Sequence, residues 1–441
     1  MNSDLMKLSA FSRRCFVERA AKSFLGVSLG SLAGRALAAG GANLPDYPKG
    51  KGKAKSIIYL FMDGGMSHLD TLDPKPEKKD VQGPIGAIQT KIPGVQFGSV
   101  LPKLAQRADK FAVVRSLHHT MGNHEIGKYK VWTGYEQQTG ITHPAMGAWV
   151  AKQAERLNPN LPSYVKMGGL AGHPANGFFE VKHAPLPITS PTEGIQNVKL
   201  RGEMTMDEFR RDLSLAQRID RNFLARFDSK QVRAYGDLYK DAIAMMTSKD
   251  LGAFDIGKEP KEVQQRYGDD DFGKGCLLAR RLVEHGVRFV EVSLGGWDTH
   301  TDNHKGVADR AKTLDGVLSA LLDDLAAKGL IDSTLVVLTT EFGRSPKIDE
   351  YAGRNHFPIA YSSILAGGGV QGGQVHGKTS ADGSYVVDGM IRPWELNSTI
   401  AYALGLDIYN MEMPFPGGQL FSIAGKDTQI DKAQPLTNLF S

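Results

Sequence analysis

The sequence predicts an α/β fold: a doubly wound, mostly parallel sheet with helices on both faces. Three observations predict it. Continuous apolar runs of strand length recur along the chain, each run ends in a polar loop, and amphipathic helical stretches closed by glycine stand between the runs.

The first run, Ser56–Met62, ends at Asp63-Gly64-Gly65, as a strand buried on both faces ends at a functional loop. Phe111–Val114 leads to the loop at His118, and Val287–Val292 leads to Gly295-Gly296-Trp297-Asp298. Leu335–Thr340 leads to Glu341, and Ser362–Ala366 to Gly367-Gly368-Gly369. Between them, Asp271 to His285 is amphipathic with Gly286 as its stop. Val307 to Lys328 carries Leu314, Val317, Leu318, Leu321 and Leu325 before Gly329. Residues 205–267 are charged, helix-rich and without good strands, which predicts a helical insertion within one α/β domain spanning 56–441.

The N-terminus predicts export. Ser12-Arg13-Arg14-Cys15-Phe16-Val17 fits a twin-arginine signal, an apolar stretch follows from Phe24 to Leu32, and Ala36-Leu37-Ala38 supplies a cleavage site. Residues 1–38 are therefore expected to be a signal peptide read by the twin-arginine translocase, with 39–55 as a linker and a periplasmic or secreted destination. The apolar stretch is too short and interrupted for a stable membrane span.

Composition narrows the function classes. At 41% hydrophobic residues the chain can bury a large core. The net charge of +5 is spread along the chain and no nucleic-acid-binding motif occurs, so no nucleic-acid partner is expected. Of two cysteines, Cys15 lies in the signal and Cys276 is expected to be a small buried helix residue, so neither a disulfide nor a cysteine metal cluster is predicted.

In open parallel sheets ligands bind beyond the carboxyl ends of the strands. The polar residues at those positions are Asp63, Ser67, His68 and Asp70; His118, His119 and His124; Asp298, His300 and His304; Glu341 and Arg344; and His356. Carboxylates and imidazoles converging from separate strand ends suit a divalent metal: zinc with nitrogen and carboxylate ligands, or manganese or calcium with a larger oxygen share. The i, i+4 spacing of His300 and His304 would set both on one side of a helical turn.

Several stretches together resemble the DUF1501 family, which itself looks like a branch of the alkaline phosphatase/sulfatase superfamily. They are Arg13-Arg14, the segment from Asp63-Gly64-Gly65 to Asp73-Pro74-Lys75, His118-His119-Thr120, Trp132-Thr133-Gly134, Trp297-Asp298-Thr299-His300, Thr340-Glu341-Phe342-Gly343-Arg344 and Gly353-Arg354-Asn355-His356. The resemblance implies an alkaline phosphatase-like domain that hydrolyses phosphate or sulfate esters with bound metal. It implies Asp63, Asp298, His300, Glu341 and His356 as metal ligands. Phe342 stands where the superfamily has a metal-binding histidine. The sulfatase nucleophile lies nine residues before a Thr-Gly pair, and counting back from Thr133 reaches His124. The nucleophile is then His124 itself, Thr120, Ser67 or a metal-activated water, while Lys128 and Arg344 would hold the anionic oxygens of a phosphorylated or sulfated ester.

Gly372–Thr379 fits the P-loop pattern and Gly367–Gly372 the dinucleotide fingerprint. A turn at Ser380-Ala381-Asp382-Gly383 stands where both mechanisms need a helix, so the region reads as a glycine-rich hairpin. Two functions follow: an exported metal-dependent ester hydrolase, or a binding or assembly protein of the cell envelope that keeps the fold without the chemistry.

Overall fold

The computed structural model describes residues 52–195, 241–406, 413–414, 420–422 and 433–441, with isolated positions between 205 and 214. The expected signal peptide, most of the linker and most of residues 205–240 lie outside the described residues.

Strand β1 (Ser56–Met62) is buried along its whole length. A short hairpin, β2 (Ala87–Gln89) and β3 (Gln96–Gly98), follows it, then β4 (Phe111–Leu117). Strands β5 (Tyr164–Met167), β6 (Leu186–Ile188), β7 (Phe289–Leu294), β8 (Thr334–Thr339), β11 (Tyr361–Gly367) and β12 (Gln374–His376) complete an eight-stranded sheet. Its order is β12-β4-β11-β8-β1-β7-β5-β6. β1 lies between β7 and β8 and is parallel to both. Only β11 runs against its neighbours β4 and β8, so the sheet is mostly parallel, as predicted.

The two faces of β1 explain the double winding. Ile58, Leu60 and Met62 enter a core with helices Asp271–Glu284 and Asn303–Ala327 through Cys276, Leu277, Leu314 and Leu318. Ile57, Tyr59 and Phe61 enter a second core on the opposite face with Trp132, Trp149 and Ile400. Those residues come from α1 (His124–Thr133), α2 (Met146–Gln153) and α5 (Pro393–Ala403); the first pair of helices is α3 and α4. Alternation along one strand thus feeds two helical layers.

The predicted helices differ at one functionally important end. Helix α3 is capped by the Asp270 side chain, which accepts from Gly273 N at 2.7 Å, and Gly286 follows it at φ 90°. Helix α4 begins at Asn303, earlier than its apolar spacing indicated. Asp302, in the left-handed region at φ 44°, separates His300 from that helix. His300 and His304 therefore do not share a helical turn. Strands β5 and β6 are additions: they are too short for a sequence pattern, and Pro187 is tolerated because β6 is an edge strand. Among the described residues of 241–267 the structure is helical, with turns at Lys249–Phe254 and Ile256–Lys258 and a helix at Lys261–Tyr267. No helix follows the glycine-rich stretch after β11; Lys378–Thr379 instead pairs with Val386–Asp388.

The antiparallel strand is what builds the site. The chain leaves β8 at Thr339 and re-enters the sheet at Tyr361 without a helical crossover, so it returns at the edge where it left. The connecting segment, with the two-residue strands β9 (Gly343–Arg344) and β10 (His356–Phe357), stays at the carboxyl edge of β1, β7 and β8.

Candidate functional site

At that edge β1, β4, β7 and β8 each deliver a loop. His124 opens α1, where Asn123 caps the helix through hydrogen bonds from Glu125 N and Ile126 N. Asp298 and His300 follow β7, Glu341 and Arg344 follow β8, and His356 lies on β10. One ring nitrogen each from His124 and His356 and one carboxylate oxygen of Asp298 lie within 4.8 Å of one another. His300 Nε2 joins them, 2.8 Å from His356 Nε2 and 3.1 Å from Asp298 Oδ1.

The hydrogen bonds behind the cluster set the imidazoles. His124 Nδ1 donates to the buried Glu341 carboxylate at 2.7 Å, and His356 Nδ1 donates to the Gly122 carbonyl at 2.7 Å. With both Nδ1 positions protonated, the Nε2 lone pairs of both rings face the same point. His124 Nε2 is buried without a hydrogen bond although Asp298 Oδ1 is 3.3 Å away. Lone pairs from two imidazoles and a carboxylate repel one another unless a proton or a cation lies among them.

Local charge acts differently on each donor, and an ion at this point would compete with a proton for His124. The hydrogen bond to Glu341 raises the His124 imidazole above its usual range, against the effect of burial. Burial lowers His356, with Arg344 and His124 adding positive charge beside it. Partial burial pushes the Asp298 carboxyl up, but the hydrogen bond and charge of Arg344, with His124 and His300, hold it down at about 2. The donor set thus fits a divalent cation: His124 Nε2 and His356 Nε2 with Asp298 is a nitrogen-rich set that suits zinc, admits manganese and is poor for calcium.

Several predicted residues take other places. Glu341 lies behind His124 rather than beside it among the ligand atoms: Oε1 accepts from His124 Nδ1 and from Gly64 N at 2.9 Å, and Oε2 from Thr340 Oγ1 at 3.1 Å. Asp63 faces Lys128, whose Nζ is 2.5 Å from its Oδ1, so an internal ammonium occupies that carboxylate. Arg344 is fully buried, and its donors are taken up within the protein. Its guanidinium donates to Gly65 O at 3.0 Å, Arg354 O at 2.9 Å, Asp298 Oδ1 at 2.5 Å and Gly64 O. Ser67 is buried and donates to Asp70 at 2.5 Å, in a different network from the imidazoles. Thr120 is exposed on the loop after β4. His304 turns toward Asp70, 3.6 Å away.

Phe342, His119 and Gly353 shape the cluster through packing and hydrogen bonding. Phe342 packs under His124 and His356, with ring centroids 4.9 and 4.7 Å away, and walls one side of the cluster. His119 donates to the Glu341 carbonyl at 2.5 Å and accepts from Met121 N, tying the β4 loop to β8. Gly353 lets its segment pass against the His300 backbone: a β-carbon there would stand 1.9 Å from the His300 carbonyl oxygen.

Solved structures similar to this chain share little sequence with it. The lipoteichoic acid synthase from Listeria monocytogenes is 11% identical over 93% of this chain and 81% of that one, with a TM-score of 0.38. A sulfatase from Pseudoalteromonas sp. is 14% identical over 80% and 68%, with a TM-score of 0.33. A protein in the alkaline phosphatase superfamily from Vibrio parahaemolyticus is 11% identical over 87% and 71%, with a TM-score of 0.35. No curated protein matches the sequence. The match that spans the domain is to a sequence family, over residues 54–433, and the chain belongs to it: the family described as Protein of unknown function (DUF1501).

Proposed function

We propose that this protein is a metal-dependent hydrolase of phosphate or sulfate esters, exported through the twin-arginine route suggested by Arg13-Arg14. The observation that carries the reading is the convergence of His124 Nε2, His356 Nε2 and Asp298 Oδ1, with the His124 nitrogen buried and unsatisfied. These three residues would hold the cation, which when bound polarises an ester oxygen and makes water or the ester more reactive. Glu341 and the Gly122 carbonyl orient the two imidazoles for it.

The remaining groups divide the work on the substrate. Lys128, at the rim on Asp63, supplies positive charge toward an anionic ester. His300 is exposed at the mouth of the cluster, and its Nε2 is the atom suited to pass a proton to a leaving oxygen. Phe342 excludes water from one side. Elemental analysis of the exported protein, followed by turnover of aryl phosphates and aryl sulfates with the metal found, tests the reading. His124→Ala and His356→Ala should each abolish both metal content and turnover; full turnover in either variant rejects it.

Two observations favour a second reading, that of a non-catalytic binding protein. Ser67 is engaged with Asp70, and Asp63 is already paired with an ammonium. On that reading the cluster holds a metal and an anionic ligand without turning it over, and tight sulfate or phosphate binding with no ester cleavage would support it.

A further inference from the structure

A second polar network, which the proposed chemistry does not use, centres on Asp70. This carboxylate is fully buried in the loop after β1. It accepts from Ser67 Oγ at 2.5 Å in its own loop and from Asn303 Nδ2 at 2.9 Å in the first turn of α4. It also accepts from Arg354 Nε and Nη2 at 2.9 and 3.2 Å, on the segment that joins β8 to β11.

Each branch ends beside a candidate ligand. Asn303 Oδ1 accepts from Thr299 Oγ1 at 2.6 Å, and Thr299 is the neighbour of Asp298 and His300. Arg354 is two positions before His356, and its other donors reach the carbonyls of Ser345, Pro346 and Val81 at 3.0, 2.7 and 2.5 Å. The two segments also bond directly, Arg354 N to Thr299 O at 3.1 Å and Asn303 N to Ala352 O at 2.9 Å. One buried carboxylate therefore anchors both loops to the floor laid by β1. Buried charge-assisted bonds resist displacement more than the neutral contacts around them.

We propose that Asp70 is a positioning residue, which fixes the spacing of Asp298 and His356 by holding Asn303 and Arg354 at once. Its effect on ion affinity rests on the metal-centre reading; its effect on loop order does not.

The test uses the full chain with Zn²⁺ or Mn²⁺ alone as probe, and two variants. Asn303→Ala cuts the branch to Asp298 and leaves the Asp70–Arg354 pair in place; Asp70→Asn removes the shared charge. Asn303→Ala should weaken ion binding roughly tenfold. It should also speed amide hydrogen exchange at Thr299 and Arg354, with β1 and β7 unchanged. Asp70→Asn should do both more strongly where it folds. Unchanged affinity and unchanged exchange at both amides in Asn303→Ala overturn the proposal. Should the wild-type chain bind neither ion, the metal reading fails, and the exchange comparison alone decides whether Asp70 positions the loops.

Discussion

The Nδ1 of His124 donates to a carboxylate, that of Glu341, which has no exposure to solvent. A carboxylate behind an imidazole raises the basicity of the opposite nitrogen and fixes the ring plane. Glu341→Gln should therefore keep the ligand atoms and weaken Zn²⁺ binding by roughly 10–100-fold, read by competition with a metal indicator. An unchanged affinity would remove Glu341 from any role in the centre.

Arg344 tests the difference between a strut and a receptor. It donates to three backbone carbonyls and to Asp298 while fully buried, a fork that a lysine ammonium cannot reproduce. Arg344→Lys should destabilise the fold by about 3–5 kcal/mol in denaturant unfolding. A variant of normal stability with a selective loss of anion binding would restore the receptor role.

Lys128 should behave in the opposite way. It is partly exposed and pairs with a half-exposed carboxylate, so Lys128→Ala should change stability by no more than about 1 kcal/mol. Sulfate or phosphate binding, measured by calorimetry, should weaken roughly tenfold.

Gly353 marks a close approach rather than a flexible joint. With the His300 carbonyl oxygen 1.9 Å from where a β-carbon would be, Gly353→Ala must push the β8–β11 segment outward. The expected cost is about 1–3 kcal/mol in thermal unfolding. A crystal structure of the variant should show His300 Nε2 and His356 Nε2 farther apart than 2.8 Å.

Acid sensitivity follows from Asp70. Burial alone would raise its carboxyl, but His304, Arg354, Ser67 and Asn303 outweigh burial and hold it at about 2. A folded-state value below the unfolded value stabilises the protein above the unfolded value, and that stability is lost as the pH falls through the folded one. The contribution is roughly 2–3 kcal/mol at neutral pH and disappears between about pH 4 and pH 2. Asp70→Asn should flatten this part of the acid limb in unfolding curves taken across that window; an unaltered limb would show that Asp70 is not among the groups titrating there.

The legible parts of the molecule were those where local pattern and tertiary role coincide. Ser56–Met62 reads as a central strand because burial on both faces demands an unbroken apolar run. His124, Asp298, His300 and His356 were readable as polar residues after runs or in loops, and they do meet. The roles of Glu341, Arg344 and Ser67 were not readable, since a residue type states what an atom can bond and leaves open which neighbour it meets. Pairing of Asp63 with Lys128 joins the end of β1 to helix α1, and no spacing in the chain encodes it. Strands β5 and β6 were missed because runs of their length carry no periodic signal.

His124 opens α1, Asp298 lies on the loop after β7 and His356 lies on β10, and the chain brings them together only when β4, β7, β8 and β11 are all in register. The three ligand positions are far apart in sequence, so the cluster depends on long-range contacts across the sheet. A partly folded chain presents single imidazoles that hold an ion weakly, so an ion that binds the finished fold favours that state by mass action. Metal occupancy would then double as a record that the whole sheet has assembled.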